Sequence, residues 1–148
     1  MPAQLIRAGD LYPGAPYAYA AVAPPGSLIF TAGACPINAR GDVAAPGDYA
    51  AQAAHTMANL ITALAAAGAS LTDVLKTTVY VASADQHDLI EVWEVVHAAF
   101  GDHDPPSTLL GVTVLGYSGQ LVEIEAVALA VRQGPAASDQ PALQAKPT

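Results

Sequence analysis

A chain with one cysteine, four histidines and five Lys or Arg residues has few routes to covalent or metal chemistry. Cys35 follows an apolar run and precedes Pro36, so its thiol can enter a cleft as a nucleophile. Its other role is that of a small buried hydrophobe, and no histidine is placed beside it. His55, His87, His97 and His103 contain no pair at the i, i+4 separation that lets two imidazoles on one helix clamp a metal. They are expected to face solvent or cap helices, and no metal site is expected. Lys76 lies in a β-branched run, where desolvation would free its amine for a Schiff base; a structural ion pair with an acid is the expectation. Gly33 can let a backbone N–H approach an anionic oxygen, or it serves tight strand packing. Tyr17, beside Pro16, can offer its phenol to a ligand or simply pack. Motifs for phosphate loops, zinc deaminases and nucleophile elbows are missing, and no cofactor is implied.

The scaffold for these groups must be small. A chain of 148 residues fits one domain, since single cores serve chains of roughly 100 to 200 residues. Apolar residues make up 53% and charged residues 12%, which leaves too little charge to coat a monomer and implies a buried subunit interface. The net charge of -8 gives no electrostatic footprint for phosphate backbones, so nucleic acid is not an expected partner. No stretch reaches the ~18 uninterrupted apolar residues of a membrane span, and Met1 to Leu11 lacks a basic region followed by an apolar run. With a lone thiol, these features predict a cytoplasmic protein that does not engage a membrane.

Along the chain, Tyr17–Val22 and Ser27–Ala34, parted by Pro24-Pro25-Gly26, predict a hairpin. Asn38 to Gly47 is a surface loop, and Asp48 can cap the helix that follows. From Tyr49 to Ala67 the residues Ala50, Ala53, Met57, Leu60, Ile61 and Leu64 recur at helical spacing, with Gln52, Thr56 and Asn59 on another stripe. Gly68 stops that helix, Ser70 and Asp73 make a capped turn, and Val74 to Ala82 predicts a strand. In it Lys76, Thr78 and Tyr80 share one face and Leu75, Thr77, Val79 and Val81 the other. Ser83 or Asp85 caps a second helix with the stripe Leu89, Val92, Trp93, Val96 and Phe100. Two strands, Thr108–Leu115 and Leu121–Val131, close the sheet, and 133–148 is expected to be a disordered tail after a single domain spanning 1–132. The predicted class is α+β, a mixed sheet with both helices on one face. The other face, expected to be apolar, would be buried by self-association.

Several stretches together resemble the Rid family (reactive intermediate deaminase, also called YjgF). Ala15-Pro16-Tyr17 resembles the family's Gly-Pro-Tyr, and Ile29-Phe30-Thr31-Ala32-Gly33 its Ser-Gly strand. Residues 65–81, AAAGASLTDVLKTTVYV, resemble the central strand region, and Glu123-Ile124-Glu125-Ala126 the family's Glu-Ile-Glu-Ala. Pro106 resembles the proline before its catalytic strand. Counting without gaps between these anchors puts the family's substrate-gripping arginine at Thr108 and the proline of its Leu-Pro turn at Tyr117.

The resemblance implies a chorismate-mutase-like fold and a homotrimer with clefts between subunits. Each cleft would join one subunit's Tyr17, Ala32 and Gly33 with another's Thr108 and Glu123. It also implies hydrolysis of small imines or enamines, with Glu123 as the acid/base group that orients water. Tyr17, Ala32, Gly33, Thr108 and Tyr117 would contact the substrate. Threonine cannot form the bidentate ion pair of an arginine, so the substrate would be recognised differently. The alternative is a ligand-binding or regulatory trimer without catalysis.

Overall fold

The computed structural model describes residues 3–6, 20–22 and 26–130; Tyr17 and the predicted tail lie outside them. Among the described residues six strands and two α-helices follow one another: β1 (Gln4–Ile6), β2 (Ala20–Val22), β3 (Leu28–Phe30), α1 (Tyr49–Ala66), β4 (Val74–Val81), α2 (Gln86–Phe100), β5 (Ser107–Gly111) and β6 (Val122–Leu129). The main sheet has the order β3-β6-β4-β5. β6 runs antiparallel to both β3 and β4, and β5 runs parallel to β4, joined to it through α2. This is the mixed sheet that the sequence predicts. Among the described residues the predicted hairpin is not formed: β2 pairs with β1, while β3 pairs with β6. Alternation identifies a strand but not its neighbour, which tertiary packing chooses.

The caps form as their residue types dictate. Asp48 accepts from the Ala51 N–H at 2.8 Å, and Asp85 from the His87 N–H at 2.9 Å. Gly68 takes φ +85° just after α1, a conformation open to glycine, and Ser70 and Asp73 close a reciprocal box before β4.

α1 packs on β6 and α2 on β4 and β5, so both helices cover one face of the sheet. Val79, Val81, Val122 and Ile124 from the sheet meet Leu60, Leu64, Val92 and Val96 from the helices, all at 0% exposure. Burying each such side chain contributes about 1.5–3 kcal/mol, and Ile124→Ala at the centre would cost about 2–5 kcal/mol. One expectation is corrected here. A bulge between Val74 and Lys76 sets Leu75 out of step, so Val74 joins the core in its place. The separate stripe of Gln52 and Thr56 is also fully buried, so burial on α1 extends beyond its apolar residues. Gln52 donates to the Gly119 carbonyl at 3.0 Å and accepts from the Leu121 N–H at 2.7 Å, which fastens the segment ahead of β6 to α1.

The opposite face is less apolar than expected. Its centre carries Lys76, Thr78, Tyr80, Glu123 and Glu125, all half-buried, while large exposed apolar groups, Leu28, Phe30 and Leu110, lie on the flanking strands β3 and β5.

Candidate functional site

Glu123 projects from the second residue of β6, a strand hydrogen-bonded on both sides. Beyond β3 the edge segment rejoins β6 at a single bridge, Ala34 with Ile124, whose backbone bonds are 2.8 and 3.1 Å. From Phe30 to Ala34 the edge advances four residues while β6 goes from Val127 to Ile124, three, so one extra residue is accommodated. Thr31 supports this irregularity: its hydroxyl, in place of a carbonyl, accepts the Ala126 N–H at 2.9 Å. Such bulges re-aim neighbouring groups, and this one brings Gly33 under the Glu123 side chain. A Cβ built on Gly33 would fall on the Oε1, Cδ and Cγ atoms of Glu123. The carboxylate can hold this placement only while residue 33 has no side chain.

The other carboxylate oxygen is held. The Gln120 amide donates to Glu123 Oε2 at 3.1 Å and to the Val122 carbonyl at 3.0 Å, and its own oxygen accepts the Tyr117 N–H at 3.1 Å. Gln120 is only 4% exposed. Cys35 is the third member of the cluster, its thiol donating to the Gly33 carbonyl at 3.5 Å. Burial and the adjacent Glu123 charge push this thiol above its ordinary range, against a smaller opposing effect of the Gln120 amide. A thiol kept protonated is a poor nucleophile.

Ala32, Gly33 and Cys35 line an open cleft of about 480 Å³ together with Asn59 and Ala63 of α1. The Asn59 amide braces this lining through the carbonyls of Cys35 and Ile37, at 2.7 and 3.0 Å. Across from Glu123 in register stands Tyr80, whose hydroxyl donates to Glu125 at 2.8 Å; that bond, then burial, raises the phenol above its ordinary range.

Thr108 is placed elsewhere. It pairs with Thr78, which pairs with Glu125, so it lies two strands across and two residues along from Glu123, roughly 12 Å at the strand spacings of a sheet. Its hydroxyl accepts from Lys76 Nζ at 2.6 Å. The expected ion pair of Lys76 with an acid is thus replaced, among the described residues, by this neutral partner, and burial lowers the Lys76 pKa. The expected division of the cleft is corrected as well, because Gly33 and Glu123 meet within one chain. Tyr117 is 47% exposed and enters the cluster only through its backbone.

Gln120 went unnoticed in the sequence, where it reads as a turn residue. The signal was its position three before Glu123, a spacing that acquires meaning only once the turn is folded. Among the histidines, His55 is exposed, His97 lies 3.3 Å from Asp104, and the His103 ring meets the Val74 carbonyl at 2.9 Å. His87, Asp88 and Glu91 bring ligand atoms within 4.8 Å of one another at the start of α2, but His87 is exposed and Asp88 already accepts from Ser83 at 2.6 Å. This is a surface cluster of ordinary kind. Among the described residues, no helix is long and apolar enough to cross a membrane.

A mixed four-stranded sheet covered by two helices, with a carboxylate seated on a glycine at its edge, defines a small α+β protein with one polar cluster beside a cleft. A family model described as endoribonuclease L-PSP matches residues 9–130. The chain belongs to this family, the Rid or YjgF family that its motifs resemble. It is 36% identical over 116 residues to a RutC family protein of Pyrococcus horikoshii, covering 78% of this chain and 88% of that one. It is 34% identical over 109 residues to the 2-iminobutanoate/2-iminopropanoate deaminase of Escherichia coli, covering 73% and 82%. A Rid family structure from Yersinia pestis superposes with a TM-score of 0.81 at 30% identity, covering 87% of this chain and 99% of that one.

Proposed function

We propose that this protein is a hydrolase of small imines or enamines in which Glu123 is the general acid and base. The observation that carries the reading is the placement of the Glu123 carboxylate, one oxygen held by Gln120 and the other over Gly33. Relatives named as iminobutanoate and iminopropanoate deaminases support the class of reaction. Glu123 takes a proton from water as its oxygen adds to the imine carbon, then returns that proton to nitrogen. The carbinolamine collapses as Glu123 takes the hydroxyl proton and passes it to nitrogen, the C–N bond breaks, and ammonia departs from the carbonyl product.

Thr108 stands where the resemblance puts the family's arginine, so the substrate is one not held by an arginine–carboxylate pair. At roughly 12 Å from Glu123 in its own chain, Thr108 is beyond the reach of a small imine bound at the carboxylate. This favours a homotrimer with clefts between subunits, to which one subunit brings the Glu123 cluster and its neighbour Thr108. Tyr17 is proposed as a ligand contact from the segment preceding β2.

The test is ammonia release from a panel of enzymatically generated imines by the wild type and by Glu123→Gln. Turnover that falls about 10²-fold or more in the variant, with the assembly intact, supports the assignment. Equal rates would reduce Glu123 to a structural strand residue. If the wild type hydrolyses no imine yet binds a small metabolite stoichiometrically, the ligand-binding reading replaces the enzyme.

A further inference from the structure

The orientation of the Gln120 side chain is fixed by partners that cannot exchange roles. A backbone N–H only donates and a carbonyl only accepts, so the Tyr117 N–H must meet the amide oxygen and the Val122 carbonyl the amide nitrogen. The second hydrogen on that nitrogen then points at Glu123 Oε2. An N–H donated to Oε2 stabilises that oxygen more in its unprotonated form than as a hydroxyl. A proton on Glu123 is then favoured on Oε1, the oxygen that fills the space a Cβ on Gly33 would take.

We infer that Gln120 is a positioning residue, which holds Glu123 by Oε2 and so favours Oε1 as the oxygen that exchanges the proton. The inference rests on the proposed acid/base role of Glu123 and adds to it the oxygen that acts. The hold is rigid because both neighbours of Gln120 are anchored: Gln52, fully buried in α1, binds Gly119 on one side and Leu121 on the other. α1 therefore fixes the backbone that fixes the amide that fixes the carboxylate. The titratable groups facing the carboxylate are Cys35 on the edge segment and Tyr80 on β4, and the Tyr80 phenol is occupied by Glu125.

Cys35 offers a readout that needs no substrate. It is the chain's one thiol, and it senses both Glu123 and Gln120. The experiment measures iodoacetamide alkylation against pH, together with imine hydrolysis, in the wild type, Glu123→Gln, Gln120→Leu and Gln120→Glu. The glutamate variant keeps the side-chain volume and the acceptor for Tyr117 but loses the donor, so it serves if the leucine variant folds poorly.

In Glu123→Gln the alkylation midpoint should fall, because the neighbouring negative charge is gone. In both Gln120 variants it should rise, and kcat should drop about tenfold with KM within twofold, as for loss of a hydrogen bond to a charged group. A Gln120 variant that folds and keeps the wild-type kcat and thiol profile overturns the inference, while the enzyme reading survives. The stated thiol shifts in a protein that hydrolyses no imine would support the grip of Gln120 on the carboxylate and count against the enzyme reading.

Discussion

Gly33→Ala isolates the contact between the edge segment and the carboxylate. The added methyl would fall on Glu123 Oε1, with Cδ and Cγ also in its path. These atoms are the far end of a flexible side chain, so the carboxylate should swing away and leave the backbone in place. What is lost is the bond from Gln120 to a charged acceptor, worth about 1.5–3 kcal/mol before the released carboxylate regains water. A net cost of about 1–2 kcal/mol follows, equivalent to a fall of about 3–6 °C in Tm for a chain of this size. Thermal unfolding of the wild type, Gly33→Ala, Glu123→Ala and the double variant measures it as a cycle. With Glu123 already truncated, alanine at 33 has nothing to displace, so its cost should shrink to a few tenths of a kcal/mol. The two residues should therefore couple by about 1 kcal/mol. Equal costs of Gly33→Ala in both backgrounds would refute the reasoning, because the glycine would then serve the backbone alone.

Glu123→Gln should lower imine turnover about 10²-fold while changing ligand affinity far less, checked by ammonia release and calorimetric titration. Thr108→Arg should create or greatly raise hydrolysis of 2-aminoacrylate-type imines; an inactive but correctly assembled variant would show that Tyr117 or its neighbours shape the cleft differently. Burial, then the neighbouring Glu123 charge, raises the Cys35 thiol above its ordinary range, so at pH 8 it should be alkylated more slowly than a free cysteine. Light scattering should give three times the 15.0 kDa chain mass, and a stable monomer at micromolar concentration would contradict the trimer. Removing residues beyond Gln133 should leave Tm nearly unchanged, whereas a loss of many degrees would show that the tail packs.

Periodicity made most of the fold legible. The 3.6-residue stripe of Met57, Leu60 and Leu64 and the β-branched run after Asp73 located α1 and β4 to within a residue or so. Strand partners were hidden, because nothing local in Leu28–Phe30 says that it faces β6 instead of the preceding strand. The Leu75 bulge was hidden too, since one extra residue leaves a run of apolar and β-branched residues looking regular. At the site, Glu123 and Gly33 could be named from motifs, but their contact could not: they are 90 positions apart in the sequence and meet through the bulge after Phe30. The roles of Gln52 and Gln120 were hidden for one reason. A buried glutamine is recognisable only by its partners, here the backbone around residues 117–122.

The cluster is divided between two kinds of scaffold. Glu123 belongs to a strand flanked on both sides, while Gly33 and Cys35 belong to an edge segment tied to it by the bonds of Thr31 with Ala126 and the bridge of Ala34 with Ile124. Hydrogen exchange should be slow around Glu123 and faster around residues 31–37, since central strands open only with the whole domain. Heating would then loosen the cleft before it displaces the carboxylate, and substrate selectivity should relax at temperatures where the protein is still folded. For the same reason, changes to the edge segment can alter the range of accepted ligands at little cost to the core, which makes residues 32–39 the natural place to redirect the chemistry by design.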